Sequence, residues 1–181
     1  MNRPDRPAHG EVTRPWRVET RPWDDPAGRD LRARQRAELD ARYGTDEHEP
    51  GTPPSESDIA VFVVALVVAT TRPLGCGALR ELSRHSAEIK RMYVVPDARG
   101  TGVATALLRA LESAATDRGW STLRLETGTA QPDAQRFYQR EGYHPIEAFG
   151  SYVGSELSLC YERRLRADRP DLGGSGASRA K

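Results

Sequence analysis

Two sets of residues in this chain stand at spacings that could do chemistry. The first is the run Arg99-Gly100-Thr101-Gly102-Val103-Ala104-Thr105, between an apolar strand-like segment and an amphipathic helical one. A glycine-rich turn that opens a helix offers unpaired backbone N–H groups. The positive end of the helix dipole points the same way, so the run reads as an anion site. Gly102 lets the backbone approach a phosphate that a side chain would hold off, and Arg99 adds charge. The second set is a pair of carboxylates, Glu88 and Glu126, each inside an apolar strand-like segment. Partial burial there raises a carboxylate pKa toward neutrality and suits the group to accept a proton. The plain alternative for each is an exposed or salt-bridged strand carboxylate.

Other chemistries find little support. His9, His48, His85 and His144 have no paired nucleophile at a recognisable spacing. Cys76 and Cys160 match no zinc or redox spacing and read as free thiols. Asp46-Glu47-His48-Glu49 is rich in ligand types, but consecutive residues do not converge easily on one ion, so no metal is expected. If that loop borders the site, its acids would meet a cationic substrate. Gly100-Thr101-Gly102 begins a dinucleotide fingerprint, but Thr105 stands where its third glycine belongs. No Gly-Lys-Ser/Thr follows, which excludes a nucleotide P-loop.

The elements that must position these residues can be read from pattern. At 181 residues the chain is long enough for one domain with a full core. Lys and Arg number 27 against 26 Asp and Glu, a net charge of +1, so neither nucleic acid nor a polybasic membrane contact is expected. The apolar run at 59–70 is shorter than the roughly 20 residues of a membrane span. The N-terminal residues lack the apolar core of a secretory signal, so a cytoplasmic location is expected. Residues 1–14 and 167–181 predict disordered tails around a single domain at 15–166. A first strand is expected at 16–23, and a helix from the Asp-Asp-Pro at 24–26 to Tyr43, with Gly44 as its stop. Its apolar stripe, Leu31, Gln35, Leu39 and Tyr43, is thin, and Arg29, Arg32, Arg36 and Glu38 read as its solvated face. A loop at 45–57 leads into a three-strand meander at 59–71, 75–83 and 87–95. Alternation places Glu88, Lys90, Met92 and Val94 on one face of its third strand. A helix at 102–118, a strand at 121–127, a helix at 132–141 and two closing strands follow. The strand–helix–strand succession predicts a right-handed parallel crossover. The fold class is therefore α/β of the α+β kind, a mixed and mostly antiparallel sheet of about seven strands flanked by helices.

With these residues in view, 16–165 resembles the GNAT superfamily of acetyl-CoA-dependent N-acetyltransferases. Arg99-Gly100-Thr101-Gly102-Val103-Ala104 matches its pyrophosphate motif of Gln or Arg, two residues, Gly, one residue, then Gly or Ala. The run from Ala134 through Phe137 and Tyr138 to Gly142-Tyr143 matches its downstream aromatic segment.

The resemblance implies acetyl-CoA as co-substrate, with the amides of Gly100 to Thr105 on its pyrophosphate. It implies that the backbone of Met92, Tyr93 and Val94 binds the pantetheine arm as an added strand would. An amide there could polarise the thioester carbonyl. Tyr138 is implied as general acid for the departing thiolate. Gln131 stands seven residues before it, where many members carry an asparagine that touches the cofactor. For the general base two positions match different branches of the family. Glu88 lies eleven residues before Arg99, and Glu126 twelve before Tyr138. Glu88 ranks slightly ahead. Tyr152 is a candidate lining of the acceptor site. A homodimer is consistent with the family. The acceptor is expected to be the primary amine of a small molecule, with a protein amine, or a non-catalytic acyl-CoA-binding module, as alternatives.

Overall fold

The computed structural model describes residues 14–47 and 49–165. Apart from Arg14, the tails expected to be disordered lie outside the described residues, as does His48. Seven strands form: β1 (Trp16–Thr20), β2 (Ile59–Val67), β3 (Pro73–Ser83), β4 (Ser86–Val94), β5 (Thr122–Gly128), β6 (His144–Ile146) and β7 (Ser158–Arg164). The helices are α1 (Pro26–Tyr43), α2 (Val103–Asp117) and α3 (Pro132–Arg140). The strands make one sheet in the order β1-β2-β3-β4-β5-β7-β6. Every neighbouring pair is antiparallel except β4 and β5, which α2 joins as the expected crossover.

The local chemistry accounts for these elements. The β-branched run of β2 suits a strand covered on both faces, and Val61 to Leu66 are all buried. Asp25 caps α1 by accepting from the Gly28 amide at 3.1 Å, Pro26 sets its first turn, and Gly44 ends it at φ 71°. In α2, Val103, Leu107, Leu108, Leu111 and Ala115 recur at helical spacing, are fully buried, and pack α2 on β1 to β4.

The interior departs from simple alternation at one place. Cys76 pairs with Tyr93 and Ala78 with Lys90, so two steps along β3 face three along β4. The extra residue is a β-bulge, and Arg91 within it has φ 56°. The face expected to carry Glu88, Lys90, Met92 and Val94 is therefore split. Glu88 and Lys90 stay on one side, while Met92 and Val94 turn to the α2 side. There a Cβ added at Gly77 would sit 2.7 Å from the Met92 sulfur, and one at Gly75 would sit 3.1 Å from Val94. The parallel ladder of β4 with β5 runs only from Ser86–Thr122 to Ile89–Leu125, stopping short of the bulge.

Three smaller expectations are corrected. β2 ends at Val67, because the Thr71 amide returns to the Val67 carbonyl at 2.9 Å in a tight turn with Thr71 at φ 57°. The first closing strand shrinks to His144–Ile146, and a 3-10 turn at Gly150–Tyr152 follows. Arg32 is not on a solvated face: its guanidinium lies 3.7 Å from the centre of the Trp23 ring and covers Phe62.

Candidate active site

The predicted anion turn has the geometry it needs. After a 3-10 turn at Pro96–Ala98, Gly100 and Gly102 adopt φ 77° and 93°, a region that glycine enters without penalty. No side chain caps α2, so the amides of Val103, Ala104 and Thr105 keep no partner within the helix. The Val103 side chain is core and the Thr101 hydroxyl donates to the Ala98 carbonyl at 2.7 Å, which leaves those residues their backbone groups alone. Arg99 is braced by the Val94 carbonyl at 2.9 Å and by Glu38 at 2.7 Å.

This turn forms one end of a groove of about 570 Å³ between α1, β4, α2 and α3. Met92, Tyr93, Val94, Arg99, Gly100 and Gly102 line it from β4 and the turn. Ala104, Thr105, Gln131 and Tyr138 line it from the two helices. The groove fits the implied co-substrate on a further observation. Gln35 donates to the Met92 carbonyl at 2.9 Å, while its own side-chain oxygen is buried without a partner among the described residues. A buried acceptor left unpaired beside the groove suits an amide N–H such as the pantetheine arm carries. Gln35 was legible only as one polar member of a thin apolar stripe.

Behind the groove lies an inner chamber of about 90 Å³ where β4 and β5 have parted. Gln35, Met92, Gln131 and Tyr138 wall both spaces, and Glu126, Glu49, Lys90 and Arg91 line the chamber and not the groove. Burial raises the Glu126 pKa, against a hydrogen bond from Ser158 that lowers it. Tyr138 is 6% exposed and packs edge-on against Phe137 and Tyr143. Burial, then the nearby Glu126 charge, pushes its phenol well above the usual tyrosine range.

Glu88, ranked first as a base, lines neither space and is 1% exposed. One oxygen takes two bonds from Arg80, at 2.7 and 3.2 Å, and the other accepts from the Tyr152 hydroxyl. The physical reason is its distance up the strand from the bulge, where β4 and β5 are still paired. Tyr152 is likewise corrected: it is 1% exposed and braces Glu88 and Lys90 from behind.

The bulge also sets Lys90 and Arg91, consecutive in sequence, side by side. Both hold Glu49 of the 45–57 loop, Lys90 at 3.1 Å and Arg91 at 2.8 Å. Burial pushes the Glu49 pKa up, but the two cations more than offset it and leave it lowered. Among the described residues, no group of three or more His, Cys, Asp or Glu could hold a metal ion, and no helix is long and apolar enough to cross a membrane. Cys76 and Cys160 are unpaired and buried, and burial pushes the Cys76 thiol up to about 12.

Comparison with known proteins identifies the family and the fold. The model of the acetyltransferase (GNAT) family matches residues 17–143. An IAA acetyltransferase of Azospirillum brasilense is 38% identical over 105 residues, which span 58% of this chain and 67% of that protein. A solved Klebsiella pneumoniae structure described as an acyl-CoA N-acyltransferase is 30% identical, covers 83% of this chain and 98% of its own, and superposes with a TM-score of 0.69. A GNAT acetyltransferase of Elizabethkingia anophelis, solved with acetyl-CoA bound, shares the fold at a TM-score of 0.61 with 15% identity. It covers 83% of this chain and 99% of its own. Sheet order, parted strands, open anion turn and family match agree: the chain belongs to the GNAT acetyltransferases, acyltransferases that use acetyl-CoA.

Proposed function

We propose that the protein moves an acetyl group from acetyl-CoA to the primary amine of a small molecule, by direct attack with both substrates bound. One observation carries this reading. Glu126 and Tyr138, a carboxyl and a phenol, line one small chamber that shares Gln35, Met92 and Gln131 with the larger groove. A chamber of about 90 Å³ suits a compact group better than an extended chain.

Acetyl-CoA supplies the acetyl group as a thioester, and with an amine it yields an amide and the free thiol, one C–N bond forming as one C–S bond breaks. The rest falls to this chain's residues. An amine arrives mainly as ammonium and must lose a proton before it attacks. Glu126 takes that proton, and burial lifts its pKa toward the range in which a base works well. Tyr138 keeps its proton at neutral pH and gives it to the departing sulfur. As the amide forms the nitrogen sheds a second proton, which restores Tyr138, and Glu126 releases the first to solvent, so both residues return to their starting state. The backbone of Met92 to Val94, paired with β3 at Tyr93 and Val94 and not paired with β5, orients the pantetheine arm and offers an amide to the carbonyl oxygen. Glu88 takes no part; it holds the strand.

The test is release of free thiol from acetyl-CoA across a panel of small amines. Release above hydrolysis for at least one amine is expected. Tight acetyl-CoA binding with no amine-dependent release would overturn the reading and leave a binding module.

A further inference from the structure

We propose that the acceptor is an amine that also carries a carboxylate, as amino acids do, and that Glu49 occupies the acceptor's carboxylate site as an exchangeable plug. This rests on the acetyl-transfer reading above.

Three observations converge. The bulge at Arg91 puts two consecutive cations, Lys90 and Arg91, on one wall of the inner chamber. A strand without a bulge would send them to opposite faces. Both cations meet the two oxygens of one carboxylate, Glu49, which comes from a loop and not from the sheet, and Lys90 also lies 3.6 Å from Glu88. Paired cations that meet both oxygens of a carboxylate are the usual means of recognising one.

The second observation is size. With Glu49 in place the chamber is about 90 Å³, room for only a few waters. The chamber receives the reacting amine, and the rest of an acceptor needs more room than that. A further cavity of about 430 Å³ lies on the far side of Arg91, and Pro54 of the same loop forms part of its wall. Arg91 is common to both spaces, so withdrawing Glu49 frees Arg91 toward either one, while Lys90 keeps Glu88 at 3.6 Å and the Tyr152 hydroxyl at 2.6 Å and gains room for a second carboxylate.

The third is charge. Arg32 and Arg36 line that outer cavity beside Trp23. Asp40 meets Arg36 at 3.9 Å, but one terminal nitrogen of Arg32 is buried without a hydrogen-bond partner among the described residues. The entrance therefore carries a surplus of positive charge that draws in an anionic group. The acidic loop, expected from sequence to meet a cationic substrate if it bordered the site, places its Glu49 carboxylate on Lys90 and Arg91. An incoming carboxylate would take its place, leaving the amine to reach toward Glu126 and Tyr138.

The experiment uses the full chain and matched acceptors: amino acids, their carboxamides, and the corresponding decarboxylated amines, each with acetyl-CoA and a free-thiol readout. The wild-type kcat/KM should favour the carboxylates by at least about tenfold, because a site built for a polar group rejects analogues that lack it. Glu49→Gln should lower KM for the carboxylates several-fold more than for the carboxamides. Arg32→Gln, chosen because its side chain is only partly buried, should raise KM for the carboxylates selectively. Equal turnover of all three acceptor types would overturn the proposal while the amine-acetylation reading stands. A binding arm covers the case of no turnover. N-acetylglycine, titrated by calorimetry, should bind Glu49→Gln more tightly than wild type. Equal or weaker binding would overturn the plug even where no amine is acetylated.

Discussion

The hydroxyl of Tyr152 donates to the carboxylate of Glu88 from 64 residues further along the chain, and the same oxygen accepts from Lys90 at 2.6 Å. With Arg80 and Asp58 these groups form an ionic cluster behind the chamber, buried at Glu88 and Lys90. It fixes the upper half of β4.

Removing one member of a buried, fully paired cluster leaves its partners uncompensated. Glu88→Ala should therefore cost about 3–5 kcal/mol in urea unfolding. The kcat of the folded fraction should stay within about tenfold of wild type, far from the loss expected for a removed base. A full loss of turnover in well-folded Glu88→Ala would return Glu88 to the reaction.

Glu126→Gln should lower kcat by about 10²–10⁴, the usual contribution of a proton-transferring group. Its stability should move the other way. The folded pKa of Glu126 lies above 4.5, so the folded state favours the protonated form, and that preference is lost as pH rises through the folded pKa. Above it, the buried charge weakens the wild type. Glutamine removes that charge, so the variant should melt higher at pH 8, with the difference vanishing below pH 4.5. Melting curves at several pH values, with kcat measured on the same samples, check both arms.

Tyr138→Phe preserves the edge contacts with Phe137 and Tyr143 and removes only the hydroxyl. The expected result is a fall in kcat of about 10² or more, with the Kd for acetyl-CoA unchanged by calorimetry. A weakened Kd with normal kcat would mark Tyr138 as a binding group.

Ala104→Asp gives a cleaner test of the anion turn than any change at Gly102, whose φ of 93° penalises every other residue. An acid in the first turn of α2 suits the helix dipole and should hold or slightly raise stability, by up to about 1 kcal/mol. The same charge faces the groove and should weaken acetyl-CoA binding by about 10² through repulsion of the pyrophosphate. Retained affinity would place the phosphates elsewhere.

What could be read from the sequence was what short stretches determine. The turn from Arg99 to Ala104 declares itself because glycines and a helix start act within a few residues. Asp25, Pro26 and Gly44 bound α1 for the same reason. The bulge escaped, because no side-chain period announces an extra residue, and every face assigned beyond Lys90 shifted with it. Gln35 and Arg32 escaped because a helix with few apolar residues does not reveal which polar ones it buries. The choice between Glu88 and Glu126 depended on partners far along the chain, Tyr152 and Ser158 among them. Spacing alone ranked Glu88 slightly ahead.

The short parallel ladder between Ser86–Ile89 and Thr122–Leu125 has a mechanical meaning. Among the described residues this seam, extended at its upper end by the Ser121 and Thr122 amides on the His85 carbonyl, is what joins the backbone of the β1–β4 ribbon to the β5–β7 ribbon, and α2 packs on the first of these. The wedge below the seam is bridged by side chains alone. A molecule lying in the groove touches β4 on one lip and α3 on the other, so it works as a splint across two leaves of a book. Amide exchange at the lower end of β5 should slow when acetyl-CoA binds, even where no atom of β5 touches it.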